Sequence, residues 1–330
     1  MNIYDIAKEA GVSIATISRV INGSDKVRET TRKRVLELIE KYHYTPNAFA
    51  RALGLGTMKT VGILCTDITN FYNSEAVAHI EYGLRDCGFN SLLCCTDHNY
   101  QDKEKGVGHL LSRNIDALIL IGSHYVEADD KKNEYIRNAA KQVPIFMVNA
   151  FLDGDNIYCV GCDDYEITKK LTDRLLSTGT KEPVFIYRYE SDGCRQKIKA
   201  ITDVCREKGV DFGNDRVFIS PVGVSGCIKA LRQAAETISF DTVICDDDLL
   251  AASTLKYAEV TGLSVPSQLR VTGYDYSILS LTTSPLLTTV DNKVEIVILA
   301  VIDLLVKRTN NDDVSQKTVL SADIISGRSI

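Results

Sequence analysis

The sequence predicts an α/β protein in which an N-terminal helix-turn-helix headpiece precedes two doubly wound, parallel-sheet subdomains. Three observations lead to that class. The 330 residues suffice for two or three domains at about 100–200 residues each. Three short helices are legible in residues 1–45. From Lys59 onward, short apolar strands alternate with amphipathic helices, and the alternation runs through twice.

Composition narrows the function classes. Hydrophobic residues at 45% and charged residues at 25% are ordinary globular values, which exclude long disorder, collagen and coiled coil as the main architecture. The longest apolar stretch, Val294–Val306, is broken by Glu295 and Asp303 and falls short of the roughly 20 residues a membrane span needs. Met1-Asn2-Ile3-Tyr4-Asp5 has no basic region leading into an apolar run, so no secretory signal is expected. Ten cysteines are too few for a disulfide scaffold. The expectation is a soluble cytoplasmic protein with reduced thiols and no membrane partner. A net charge of −6 argues against nucleic acid when taken alone, but its distribution reverses that. Residues 1–60 hold 10 Lys/Arg against 6 Asp/Glu, and residues 61–330 hold 28 against 38. A basic head on an acidic body is read domain by domain.

The first helix spans about Ile3–Ala10. Asn2 caps it, Asp5 answers the cap, and Gly11 ends it. Ile6, Ala7 and Ala10 form its apolar stripe. Three residues, Gly11-Val12-Ser13, lead to a second helix over Ile14–Asn22, with Ser13 as its cap. That spacing makes a helix-turn-helix unit. Ile17, Val20 and Ile21 face inward. A third helix, about Glu29–Tyr42, brings Val35, Leu36 and Ile39 to the same core. Ile14, Ala15, Ser18 and Arg19 share the outer face of the second helix. Arg19 suits a guanine edge, and Ile14 and Ala15 suit thymine methyls. By spacing alone, a small bundle with a solvated polar face is an equal alternative. Pro46-Asn47 opens a short segment that Gly54 closes. Asn47–Leu53 is shorter than the roughly 12–15 residues of a stable isolated helix, so it is expected to fold only on a partner. Leu53 then has the character of a minor-groove wedge; a flexible linker with one exposed leucine is the bland alternative.

These residues carry a resemblance. Asp5-Ile6-Ala7-Lys8-Glu9-Ala10-Gly11-Val12-Ser13, then Ala15-Thr16-Ile17-Ser18-Arg19-Val20-Ile21-Asn22-Gly23, resembles the headpiece of the LacI/GalR family. Tyr44-Thr45-Pro46-Asn47 with Ala50-Arg51-Ala52-Leu53 resembles its hinge helix. The resemblance implies base reading by Ile14, Ala15 and Arg19 and minor-groove contacts from Ala50 and Leu53. Ser13, Thr16, Ser18 and Asn22 complete the implied DNA-facing set. Arg28 departs from the small cap residue usual before helix three.

In the body, Val61–Cys65, Ser91–Cys95, Ala117–Ile121 and Pro144–Val148 read as buried parallel strands. Helices at about Ser74–Cys87, Asp102–Leu111 and Lys131–Lys141 separate them. Val184–Tyr187, Val217–Ile219, Thr242–Cys245 and Leu269–Gly273 repeat the pattern, with helices at about Tyr165–Leu176, Cys194–Lys208, Cys227–Glu236 and Leu249–Val260. Ligands of such sheets bind beyond the carboxyl ends of the strands, and a cleft between subdomains is a preferred pocket. Asp67, Tyr72, Asn73, Ser123, Asn149, Asp247 and Asp275 stand there, although each is about equally suited to capping a helix. The body resembles the same family, whose fold is of the periplasmic-binding-protein-like type, in Gly62-Ile63-Leu64, Asp248-Leu249-Leu250-Ala251, Val271-Thr272-Gly273-Tyr274-Asp275, Pro285-Leu286-Leu287-Thr288-Thr289-Val290 and Arg328-Ser329. The resemblance implies a ligand-gated repressor acting as a homodimer on a pseudo-palindromic double-stranded operator. It places Tyr72, Asn73, Ser123, Asn149, Lys197, Asp247 and Asp275 in the effector pocket. It also implies a headpiece over 1–45, a hinge and linker over 46–58 and a body over 59–330. The body divides into subdomains at roughly 59–160 plus 291–320, and 161–290 plus 321–330.

The departures bear on the effector. Asn70-Phe71-Tyr72-Asn73 replaces a common Asn-Pro-Phe-Phe, Lys197 replaces an arginine and Lys293 replaces a proline. Lysine offers a point charge where arginine grips bidentately. Asp247 and Asp275 accept hydrogen bonds from hydroxyls, and Lys197 suits a phosphate or carboxylate, so a sugar or charged sugar derivative is the expected effector. A nucleobase stacked on Tyr72, or a protein corepressor, is the alternative. A sugar-binding protein whose head makes only protein contacts is the rival from another class. No P-loop or Gly-x-Gly-x-x-Gly run is present. Cys159-x-x-Cys162 lacks a second pair, so zinc is not expected. Those thiols, like adjacent Cys94-Cys95, read as small packed hydrophobes. No catalytic constellation, metal site or cofactor is expected. With no heptad segment after Ile330, dimers rather than coil-held tetramers are expected.

Overall fold

The computed structural model describes residues 2–21, 24–44 and 57–330 and divides into two compact units, Met1–Lys59 and Thr60–Ile330.

The first unit holds three helices, Ile3–Ala10, Ile14–Ile21 and Glu29–Lys41. The side chain of Asn2 accepts from the amides of Tyr4 and Asp5, while Asp5 accepts from the Asn2 amide. This reciprocal cap satisfies amides that have no partner within the helix. Gly11, at φ 66, closes the helix in the left-handed conformation that glycine adopts without steric cost. Ile6, Ala7, Ala10, Ile17, Val20 and Val35 form a small sealed core, flanked by Val12, Ile21, Leu38 and Ile39. Leu36 is a correction to the sequence reading: it is 48% exposed. One residue from Val35 on a helix, it points about 100° away, and Leu38 and Ile39 take the core side. Arg28 makes no side-chain cap. Asn2→Ala should cost about 1 kcal/mol, read as lower amide protection in Ile3–Ala10.

The second unit is built on two parallel sheets. The larger has the order β11-β5-β4-β3-β1-β2, with β1 Thr60–Cys65, β2 Asn90–Cys95, β3 Ala117–Ile121, β4 Ile145–Val148, β5 Ile157–Cys162 and β11 Lys317–Leu320. The smaller has the order β7-β6-β8-β9, with β6 Pro183–Tyr187, β7 Val217–Ile219, β8 Thr242–Cys245 and β9 Arg270–Thr272. A short antiparallel pair, β10 Thr289–Asp291 with β12 Asp323–Ile325, completes the fold. Each parallel sheet is sandwiched between helices, as parallel sheets require. Helices Phe71–Asp86 and Val294–Thr309 cover one face of the larger sheet with Ala76, Ile80, Leu84, Val297, Ile298 and Val301. The long apolar stretch is therefore a core helix, and among the described residues no helix is long and apolar enough to cross a membrane.

Two readings change. Asn90–Cys95 is an edge strand with no fully buried residue, because only β1 pairs with it. Cys95 is accordingly exposed and Cys94 half-buried, against the reading of both as packed hydrophobes. Cys159 and Cys162 are buried in β5, and no metal-binding group of His, Cys, Asp or Glu occurs among the described residues.

Candidate functional site

The strands of both sheets end on one cavity of about 110 Å³. β1 delivers Thr66 and Asp67, β3 Ser123 and β4 Asn149. The first turn of helix Phe71–Asp86 adds Tyr72 and Asn73, and β8 and β9 supply Asp247 and Asp275. Lys197 enters from helix Asp192–Lys208. All seven residues expected in the pocket line this cavity. His98, His124, Asp164, Arg188, Tyr189, Asp246, Tyr274 and Asn292 line it too and were missed. Asp246 and Tyr274 adjoin residues that were singled out, Asp164 follows β5, whose Cys159–Cys162 spacing fits a strand leading into the helix near Asp163, and Asn292 follows β10, a strand the sequence reading left unassigned.

The side chains hold one another in place. Asn149 Nδ2 donates to Tyr72 Oη at 2.6 Å, and its Oδ1 accepts from the Cys162 amide at 3.0 Å. Asn149 sits at φ 47 and Asp275 at φ 92, backbone conformations unusual outside glycine and common at binding sites. Asn292 Nδ2 donates to Asp275 Oδ1 at 2.8 Å. Tyr274 Oη donates to Asp164 Oδ1 at 2.5 Å. Lys197 Nζ lies 2.9 Å from Asp246 Oδ1 and 3.5 Å from the centre of the Tyr274 ring. The ring of His98 stacks on Tyr189 at 3.5 Å and meets His124 edge-on at 4.8 Å. Gly193 allows the helix that carries Lys197 to approach: a Cβ there would lie 2.6 Å from Asp164 Oδ2 and 2.8 Å from Ser123 Oγ.

Electrostatically the cavity is acidic. Asp67, Asp164, Asp246, Asp247 and Asp275 face Lys197 and Arg188. Burial pushes the carboxyl groups of Asp164, Asp247 and Asp275 above the usual range. Burial opposes the charge on Lys197, but Asp246, Asp164 and Asp275 outweigh it and hold the ammonium above its ordinary value. Burial pushes His98 down to about 4 and His124 to about 3, so both imidazoles are neutral at pH 7. Thr66 Oγ1 and Asn292 Oδ1, in side chains only 3% and 4% exposed, have no hydrogen-bond partner. With Arg188 Nε and His98 Nδ1, buried atoms of the same lining that also have none, the cavity presents both donor and acceptor groups to a ligand.

Behind the cavity, Asp248 accepts from Thr289 Oγ1 at 2.6 Å and from the Ser277 amide and hydroxyl at 2.7 and 2.9 Å. Burial still raises its carboxyl from 3.8 to about 6. Between those values the folded chain keeps a proton the unfolded chain has lost, so the Asp248 contribution to stability falls as pH rises through that window. A carboxyl titration followed by NMR should place Asp248 near 6; an ordinary carboxylate midpoint would contradict this.

In the first unit, helix Ile14–Ile21 presents Ile14, Ala15, Ser18 and Arg19 to solvent, with Thr16 half-buried. Ser13 caps this helix, its Oγ accepting from the Thr16 amide at 3.2 Å. Asn22, Ala50 and Leu53 lie outside the described residues.

Comparison with known proteins agrees with this geometry. Residues 2–47 match the family model for bacterial regulatory proteins of the lacI family, and residues 172–330 match a periplasmic binding protein-like domain. An HTH-type transcriptional regulator of Lachnoclostridium phytofermentans is 37% identical over 98% of both chains. The HTH-type transcriptional regulator DegA of Bacillus subtilis is 30% identical over 87% of this chain and 85% of its own. Among solved structures, the lac repressor dimer bound to operator and the anti-inducer ONPF superposes with a TM-score of 0.88 at 19% identity, over 100% of this chain and 98% of that one. A complex of the transcriptional regulator CelR with cellobiose gives 0.71 at 23% identity, over 100% and 99%. This chain belongs to the LacI/GalR family of DNA-binding bacterial transcriptional regulators.

Proposed function

We propose that this protein is a repressor whose operator affinity is set by a small carbohydrate bound between the two sheets. The observation that carries the reading is the convergence of fifteen or more polar side chains from both sheets on one cavity, in a chain that also carries a basic helix-turn-helix head. Carboxylates, amides and hydroxyls at strand ends suit a ligand rich in hydroxyl donors. Within the sugars, the charge count favours an uncharged one. Lys197 is already paired with Asp246, and Arg188 faces four further acidic side chains, so the lining as a whole disfavours a phosphate.

Two headpieces would read two half-sites of a pseudo-palindrome, each laying helix Ile14–Ile21 in the major groove. Tyr82, Ile296 and Leu299, and on the smaller sheet's side Ile278 and Leu281, are exposed apolar residues, and such residues suit burial against a second copy in a homodimer. Ligand would couple to DNA by favouring one separation of the sheets over another, a differential affinity of typically about 1–3 kcal/mol. The protein acts by binding, with no reaction at the cavity. Ala50 and Leu53 would contact the central minor groove. Arg19→Ala should cost about 1–3 kcal/mol and relax one base position; a uniform loss across all sequences would make Arg19 a phosphate contact instead. Calorimetry with a panel of free and phosphorylated monosaccharides and of nucleobases tests the effector class. Binding of a neutral sugar supports it; tighter binding of a phosphorylated sugar, or of a nucleobase, contradicts it.

A further inference from the structure

The larger sheet brings together two thiols that the cavity does not use. β1 and the edge strand β2 run parallel with Cys65 opposite Cys95. Both side chains leave the sheet on the same face, and paired strands lie about 4.8 Å apart. Their sulfurs are 3.7 Å apart. A disulfide spans Cα separations of about 4.4–6.8 Å, so the backbone already meets that requirement. Cys65 is fully buried and Cys95 is exposed. We propose that Cys65 and Cys95 form a peroxide-responsive dithiol that closes to an intrachain disulfide.

The chemistry divides along that difference in exposure. Cys95 meets hydrogen peroxide, takes one oxygen as a sulfenic acid and releases one water. The Cys65 sulfur then attacks the Cys95 sulfur and the S–O bond breaks. The hydroxyl leaves as a second water, with the proton from Cys65. Two thiols have lost two electrons and two protons, and one peroxide has become two waters. Burial holds the Cys65 thiol protonated, so it is not the first point of attack, and its proton must leave with the departing hydroxyl as its sulfur attacks.

The consequence lies next door. Closure draws the sulfurs from 3.7 Å to about 2.05 Å. One residue further on, the Thr96 amide donates to the Cys65 carbonyl at 3.1 Å and the Asp97 amide to the Thr66 carbonyl at 2.9 Å. β1 continues into Thr66 and Asp67 and β2 into His98, all on the cavity wall. Oxidation would therefore act on the end of the sheet that shapes the ligand site.

The test treats the full-length protein with hydrogen peroxide, blocks the remaining thiols with iodoacetamide and maps peptides by mass spectrometry without reduction. The expected product joins the Cys65 and Cys95 peptides with the loss of two hydrogens, and dithiothreitol reverses it. Cys95→Ser, at an exposed position, should fold normally and lose the product. Cys65→Ser should leave Cys95 as a sulfenic acid that dimedone traps. Exposed Cys87 is the internal control and should remain alkylated. Four outcomes overturn the proposal: Cys95 carried on to sulfinic acid with Cys65 still alkylatable after denaturation, a Cys95–Cys95 covalent dimer on a non-reducing gel, a crosslink through Cys94, or no reaction at Cys95 under conditions that oxidise Cys87.

Discussion

Replacing Asp275 with alanine should abolish the response of DNA binding to the effector while leaving DNA binding itself intact. Asp275 sits at the carboxyl end of β9, turned by its positive φ and steadied by Asn292. One carboxyl oxygen takes the Asn292 amide, and on the proposed reading the other would accept from a ligand hydroxyl. Leaving a buried hydrogen-bonding group without its partner costs about 1–3 kcal/mol, which corresponds to roughly five- to hundred-fold weaker ligand binding. Asp275→Asn should lose less, because it keeps the shape and one acceptor. The measurement is operator binding by fluorescence anisotropy across an effector titration. An alanine variant with a normal response would move the pocket elsewhere.

The second large effect is expected in the headpiece. Ile17→Ala should remove DNA binding altogether and leave the body folded. Among the described residues six buried side chains form that core, and an Ile→Ala change in a core costs about 2–5 kcal/mol. A unit this small has few kcal/mol of stability in reserve. The second helix should therefore lose its amide protection in hydrogen exchange. The sheets of Thr60–Ile330, a separate compact unit, should keep theirs. Retained protection in Ile14–Ile21 together with lost DNA binding would show that Ile17 acts at the interface and not in the core.

Much of this was legible in the sequence because the governing signals are local. Caps at Asn2 and Ser13, the stop at Gly11 and the 3.6-residue stripe of Ile6, Ala10, Ile17 and Val20 fix the headpiece. The central strands, such as Ala117–Ile121, are buried throughout and read as continuous apolar runs. What escaped depends on neighbours. β2 has the same composition as a central strand, but only tertiary pairing puts it at an edge. β11 and β12, with alternating or exposed residues, carry no clear period. Six of the seven pocket residues follow from the rule that strand ends form sites, supported by the family resemblance, and Lys197 follows from the resemblance alone. His98, His124 and Tyr189 come together only through the packing of the two sheets, so no spacing along the chain could announce them. Leu36 shows the opposite failure, where composition favoured the core but helical phase turned it outward.

The most direct test of the central claim is selection of bound sequences from a random duplex library with the full-length protein. It should be run at near-physiological salt, since affinity for DNA depends steeply on ionic strength. Parallel arms should contain and omit a pool of metabolites. The account predicts enrichment of a two-fold symmetric site in at least one arm, with the pool changing its recovery. No enriched site in either arm would contradict it.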